Sequence, residues 1–213
     1  VTVVLANIDC FLFDLDGTLV DSTPAHEQAY RDVLRREHPE LLDRFDYRAV
    51  AGLTTPAAFR SLGLADAEAL RCALLKQKHY RTSVDAGRVP EMPGARLLLA
   101  QLKARGNGIG VVTSASRISA LKALETNALM PYVDIVVAAE DARETKPAPA
   151  PFLKALTKLH ADAAKSVAVE DAPSGFLSAR AAGLTVIGVH QHSVRALSDL
   201  YFADFAGFSE ALS

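Results

Sequence analysis

Two aspartates, Asp14 and Asp16, flank a single leucine in the segment FDLDGT. In extended chain, residues two apart point to the same side. Their carboxylates then repel, and a divalent cation or a shared proton relieves the repulsion. Phosphoryl transfer uses both features. One carboxylate attacks phosphorus and forms an aspartyl-phosphate. The other protonates the leaving oxygen and then takes a proton from the attacking water. A solvated turn that holds two Asp and a Gly is the plain alternative, and for an isolated DxD that alternative leads.

Further residues widen the case. Val169-Glu170-Asp171 puts two adjacent acids after an apolar run. Hard cations such as Mg²⁺ take one or two carboxylates together with waters and phosphate oxygens, so Asp171 with Asp14 and a backbone carbonyl makes a plausible set. Acids ahead of Pro173 and Ser174 also suit a helix dipole, and the two readings are compatible. Thr113 and Ser114 end the run IGVVT, where hydroxyls and the amides of a following turn bind phosphate oxygens. Taken alone, helix capping by Ser114 or Ser116 is the better account of that pair. Lys146 lies in ETKPAPAPF, a loop stiffened by Pro147, Pro149 and Pro151. A surface lysine is ordinarily a solvated charge, but one pinned in a rigid turn suits neutralisation of charge at a fixed point. The GxG within GNGIG precedes a strand instead of opening a helix, so it is rejected as a nucleotide loop.

Positioning these residues falls to elements that the apolar pattern outlines. Residues 8–13, IDCFLF, read as a buried strand opening into the DLDGT turn. A helix over 24–37 follows, with Ser22 or Thr23 as N-cap and Pro24 in the first turn. Helical segments are expected at 41–50, 56–61 and 65–81, with no convincing strand before Pro90. Beyond Pro93-Gly94 the pattern predicts helices at 94–105, 117–127, 151–160 and 173–182. Strands are predicted at 109–113, 134–139, 166–170 and 184–189, with a last one within 202–206. Alternation of this kind argues for an α/β fold, a doubly wound (Rossmann-like) parallel sheet. Residues 1–17 and 90–213 would form that core, and 18–89 an inserted all-helical cap. Ligands bind beyond the carboxyl ends of strands in such sheets, and each motif above falls at one.

The chain has 213 residues, half of them apolar, which suffices for one α/β domain and a smaller appendage. A net charge of -2 provides no broad basic field for nucleic acid. Cys10 and Cys72 read as free, buried or half-buried thiols, although a disulfide is possible from sequence, and free thiols suit a reducing cytosol. The stretch VTVVLANIDCFLF has no preceding basic residue and contains Asp9, so it reads as a strand and not as a signal peptide. No apolar run approaches the length that spans a bilayer. The expectation is a soluble cytoplasmic protein, a monomer or weak dimer, without nucleic-acid or membrane partners.

In order along the chain, FDLDGTLVDS, VVTSAS, TKPAPAPF and VEDAPSG resemble the four motifs of the haloacid dehalogenase-like (HAD) superfamily. The resemblance is to its phosphatases with a helical cap inserted after the first motif. It implies Asp14 as nucleophile, Asp16 as general acid/base and Lys146 as charge balance. Ser114, with Thr113 as the second choice, would bind the phosphoryl group. Asp171 would ligate Mg²⁺ together with Asp14 and the Asp16 carbonyl, with Glu170 in or near the metal shell. The second aspartate of the first motif separates the chain from true dehalogenases.

Within the superfamily, DSTPAHEQAY and VEDAPSGFLSARAAG look closest to the branch of sugar phosphatases, phosphoglycolate phosphatases and β-phosphoglucomutase. His26 matches a cap-hinge histidine with which the mutase gates its acid/base; an ordinary helix-surface role is the alternative. In AGLTTPAAFR, Thr55 stands where the mutase has an arginine for the second phosphate, which argues against mutase activity and suits a hydroxyl-rich substrate end. Arg60 could replace that arginine if its helix faces the cleft, and is otherwise a surface residue. Arg81 lies where relatives place a substrate-reaching lysine, or else it answers the dipole at the end of helix 65–81. The expectation is a Mg²⁺-dependent phosphatase of a small phosphorylated metabolite, a sugar or sugar-alcohol phosphate. The alternatives are a β-phosphoglucomutase-type isomerase and a phosphoglycolate phosphatase.

Overall fold

A computed structural model of the chain describes residues 5, 7–51 and 53–212. The chain divides into two compact units, Val1–Asp21 with Pro90–Ser213, and the insert Ser22–Val89.

The insert contains α1 (Thr23–Glu37), α2 (Tyr47–Val50), α3 (Thr55–Ser61) and α4 (Asp66–Asp85). Ser22 is the N-cap of α1 and Pro24 lies in its first turn, but the serine side chain makes no capping bond. Tyr30, Val33 and Leu34 of α1 pack with Phe59 of α3 and with Ala69, Cys72 and Ala73 of α4. Phe59 is fully buried, and truncating such a side chain typically costs about 3–5 kcal/mol. Segment 41–50, expected as one helix, is instead a 3₁₀ turn, Pro39–Arg44, followed by α2. Phe45 is extended between them, and the Asp46 carboxylate accepts the Arg48 amide to start α2 afresh. α4 continues past the expected end at 81, because nothing breaks it before Gly87, which has φ +66°.

The core is a six-stranded sheet of β1 (Cys10–Phe13), β2 (Gly108–Val112), β3 (Ile135–Val137), β4 (Ser166–Glu170), β5 (Thr185–Val189) and β6 (Leu200–Phe202). Its order is β3-β2-β1-β4-β5-β6 and every pairing is parallel. The central strands are almost continuously apolar because both faces are covered. The covering helices are α5 (Ala95–Ala104), α6 (Arg117–Thr126), α7 (Ala150–Leu159), α8 (Pro173–Ala181) and α9 (Phe205–Leu212). Phe152, Ala155, Phe176 and Ala179 bring α7 and α8 onto Leu12, Val112 and Ala168 of the sheet.

Several expectations change at this level. β1 begins at Cys10, not at residue 8; residues 1–4 and 6, included in the N-terminal strand reading, lie outside the described residues. The last strand is Leu200–Phe202, and 205–212 is helical. Phe205, Phe208, Ser209 and Leu212 recur at helical spacing on its buried face. Residues 18–21, expected in the cap, belong to the core. There Met92 donates its amide to Leu19 O (2.8 Å) and Asp21 donates to Pro90 O (2.9 Å). Among the described residues no helix is long and apolar enough to cross a membrane.

The switch point of the sheet lies at β1, where the chain builds outward to β2 and β3 on one side and to β4, β5 and β6 on the other. Phe13 is in register with Val111 of β2 and with Val169 of β4. The residues that follow these three positions therefore emerge level with one another at the carboxyl edge.

Candidate active site

Asp14 is fixed first by backbone: its amide donates to Val169 O at 2.9 Å, which holds it beside the end of β4. Lys146 reaches it from the proline-rich loop. The ammonium donates to Asp14 Oδ1 (2.6 Å), Glu170 Oε1 (2.6 Å) and Val112 O (2.8 Å), so all three donors are used. The Lys146 side chain is 5% exposed and that of Glu170 1%, so this is an interior ion group and not a surface pair. The surface reading of Lys146 is thereby excluded.

Asp171 follows Glu170 and accepts the Thr18 hydroxyl at 3.2 Å. One carboxylate oxygen each from Asp14, Glu170 and Asp171 can be chosen within 4.8 Å of the others. Two glycines make the room. Gly17, at φ +84°, lies so close that a Cβ there would overlap the Asp171 carboxylate. A Cβ on Gly175, in the first turn of α8, would overlap the Glu170 carboxylate.

Charge follows from this burial. Desolvation raises the pKa of Asp14 against the pull of Lys146, and Asp16 raises it further. Desolvation likewise raises Glu170 well above the carboxylate range. Asp171 is pushed up to about 7, by burial first and by Asp14 second. Lys146 is held charged by Asp14 and Glu170, which outweigh its own desolvation. Once ionised, these three carboxylates exceed the one ammonium by two negative charges, which is what a hard dication with oxygen ligands would meet. The donor set therefore fits the kind of metal ion the fold would hold.

Asp16 is half-buried and bridges to Val20 through its backbone. Its charge acts on both Asp14 and Asp171. Thr113 is buried, and its hydroxyl accepts the Ala115 amide at 3.0 Å. Ser114 is exposed beside it, while capping of α6 falls to Ser116, whose side chain accepts the Ser119 amide. Sequence inspection missed Thr18, Gly17 and Gly175 as shapers of the site. It also missed His190, whose Nε2 lies 3.1 Å from Thr18 O. The glycines lie inside quoted motifs and were within reach; His190 carries no local signal.

The insert, Ser22–Val89, is a separate unit. His26 is more than a helix-surface residue: its ring stacks on Tyr80 (centroids 3.9 Å) and its Nδ1 accepts from Lys76 Nζ at 2.6 Å. Lys76 is 5% exposed and also faces the rings of Tyr30 and Tyr80. The sequence offers Arg81 as the cap's substrate-reaching cation or as the dipole partner of its helix. Arg81 is exposed and precedes the end of α4 by four residues, so the role of terminal dipole partner is withdrawn. Arg60 is exposed and pairs with Asp66 at 3.3 Å. The Thr55 hydroxyl bonds the Tyr30 phenol.

A family model for haloacid dehalogenase-like hydrolases matches residues 11–189, and the chain belongs to that family. Hexitol phosphatase A of Escherichia coli is 35% identical over 182 residues, covering 84% of this chain and 82% of that protein. Phosphoglycolate phosphatase of Rhodospirillum rubrum is 33% identical over 216 residues, covering 94% of this chain and 89% of that one. Among solved structures, the β-phosphoglucomutase of Clostridium difficile shares the fold with a TM-score of 0.75 at 20% identity. That match covers 96% of this chain and 97% of the other. The protein is a HAD-type phosphatase acting on small phosphorylated metabolites.

Proposed function

We propose that this phosphatase hydrolyses a sugar or sugar-alcohol phosphate, with Asp14 as nucleophile and Mg²⁺ as its metal. The observation that carries the reading is Lys146, buried and bonded to both Asp14 and Glu170 beside Asp171. With Oδ1 of Asp14 held by the ammonium, Oδ2 attacks phosphorus in line, and the bond from phosphorus to the substrate oxygen breaks. Asp16 gives that leaving oxygen its proton. The same carboxylate then takes a proton from water as the water attacks the phosphoaspartate, which restores Asp14 and releases inorganic phosphate.

Lys146 remains charged and offsets the negative charge that builds on the phosphoryl oxygens. Ser114, exposed at the start of the turn that the Thr113 hydroxyl braces, binds one of those oxygens. Asp14, Asp171 and the Asp16 carbonyl would hold Mg²⁺, with Glu170 beside them. When bound, the ion supplies Lewis-acid stabilisation of the phosphoryl oxygens.

Residues 22–89 act as the cap that chooses substrate and keeps bulk water from the phosphoenzyme. Within the insert, the Lys76–His26–Tyr80 cluster is the counterpart of the cation expected at Arg81, and a threonine at 55 suits a hydroxyl-rich substrate end. The sugar-alcohol preference draws on the likeness to hexitol phosphatase A. Two buried free thiols suit a reducing cytoplasm, where the chain works as a monomer or weak dimer.

The test is phosphate release from hexose, pentose, hexitol and glycerol phosphates, phosphoglycolate and β-glucose 1-phosphate, with Mg²⁺ and with EDTA. Mg²⁺-dependent release that favours sugar and hexitol phosphates is expected. Preference for phosphoglycolate would overturn the substrate assignment. Conversion of β-glucose 1-phosphate to the 6-phosphate without release would overturn hydrolysis itself.

A further inference from the structure

The insert carries a second convergence of metal-ligating side chains, unrelated to the acids at the sheet edge. His38, Glu68 and Cys72 each offer one donor atom, and these atoms lie within 4.8 Å of one another. Glu68 and Cys72 are four residues apart on α4 and so share one face of the helix. His38 is the C-cap of α1 and approaches that face from the neighbouring helix.

A carboxylate oxygen faces each ring nitrogen of His38. Its Nδ1 lies 3.3 Å from Glu40 Oε1, and its Nε2 lies 2.7 Å from Glu68 Oε1. A neutral imidazole has one N–H, so it cannot donate to both carboxylates. Donation from Nδ1 to Glu40 is the carboxylate–histidine arrangement that orients metal-bound imidazoles. The Nε2 lone pair then faces a carboxylate oxygen, and either a second proton or a cation must lie between them. Cys72 adds its thiol 3.7 Å from the same oxygen, beneath it in the interior and fully buried. The Glu68 side chain is 31% exposed, so entry is from its side.

We propose that His38 Nε2, Glu68 Oε1 and Cys72 Sγ form a second metal site in the insert, suited to Zn²⁺, with Glu40 orienting the imidazole. Nitrogen, oxygen and thiolate donors together favour a borderline-soft transition ion over Mg²⁺. Binding uses the Nε2 lone pair and displaces the thiol proton to solvent. Arg71 already donates to Glu68 Oε1, so a bound ion would share that oxygen with the guanidinium. It holds Glu68 through Nε to Oε2 (2.9 Å) and through Nη2 to Oε1 (2.6 Å), and it reaches Glu37 Oε2 at 2.8 Å. It therefore fixes the carboxylate's rotamer, as partners of metal-ligating carboxylates do. Charge is also compatible. Glu37, Glu40 and Glu68 outnumber Arg36 and Arg71 by one, and a Cys72 thiolate widens the excess to two, which a dication cancels.

The test titrates Zn²⁺ and, separately, Co²⁺ into the full chain under excess Mg²⁺. Expected are one tightly bound equivalent and a thiolate-to-Co²⁺ charge-transfer band. Cys72→Ser should abolish the band, and Glu68→Gln, at a half-exposed position that leaves folding intact, should weaken Zn²⁺ at least tenfold. Asp171→Asn should leave both signals in place. Absence of the band at one equivalent would overturn the proposal. So would Zn²⁺ binding that survives both insert variants, or that Asp171→Asn removes.

Discussion

Lys146 is the residue on which the core's charge turns, because it alone among the site residues opposes three carboxylates. Removing a partner from a buried ion group costs more than the group contributes when intact, since uncompensated charge stays behind in low dielectric. Lys146→Met should therefore lower hydrolysis by at least about a hundredfold, the scale of one lost electrostatic contact to a transition state. In metal-free protein it should also lower unfolding free energy by about 3–5 kcal/mol. Urea titration with and without Mg²⁺ measures the second effect; unchanged midpoints would show that the ammonium is not tied to these acids. Asp14, Asp16, Glu170 and Asp171 could be found in the sequence because acid pairs at the ends of apolar runs are local signals. The partnership of Lys76 with His26 was not legible, because it joins positions fifty residues apart on two helices. Arg81 was the nearer guess because relatives place a substrate-reaching lysine near that point of the cap.

At the scale of elements, the turn 16–20 is held at the same carboxyl edge by His190, which follows β5 and whose Nε2 meets Thr18 O. The residue adopts φ +62°, and its ring lies edge-on to Phe205 with centroids 4.6 Å apart. Burial lowers its pKa below the usual 6.5, although the carbonyls of Thr18 and Ala203 and the charges of Asp204 and Asp21 pull the other way. The unfolded chain thus binds this proton more readily than the folded one. Stability from His190 is present above about pH 6.5 and is lost as pH falls through the lower folded value. His190→Asn keeps a residue that tolerates positive φ and removes the titration. Urea midpoints between about pH 5 and about pH 8 should fall less steeply on the acid side in the variant than in the parent. Equal slopes would deny the assignment. The strands were readable because apolar runs between turns mark buried parallel sheet. α9 was not, because its eight residues follow β6 after only two, and their phenylalanines also suit a strand.

For the whole molecule, the insert leaves and rejoins the core at one place. Val20 bridges Glu91 antiparallel, and Asp21 donates to Pro90 O, so the two ends of the core already meet. Loop closure across such a junction costs little. A chain joining 1–21 to 90–213 through a short glycine linker should fold cooperatively and should discriminate poorly between phosphoesters. Loss of the cooperative transition, seen by circular dichroism, would mean that the insert supplies stability the sheet lacks. The sequence indicated an insert but set its start at 18, because the GTLVD segment has no strand pattern of its own. Val20 bridges not only Asp16 but also Glu91, on the far side of the insert in sequence.

The proposed mechanism turns on Asp14 becoming phosphorylated. The most direct measurement is to quench turnover of a good substrate in acid, reduce the acyl phosphate with borohydride and sequence the peptides by mass spectrometry. The account predicts homoserine at position 14 in the enzyme, and none in Asp14→Asn. Full turnover with no modified residue, or modification at any other position, would contradict it.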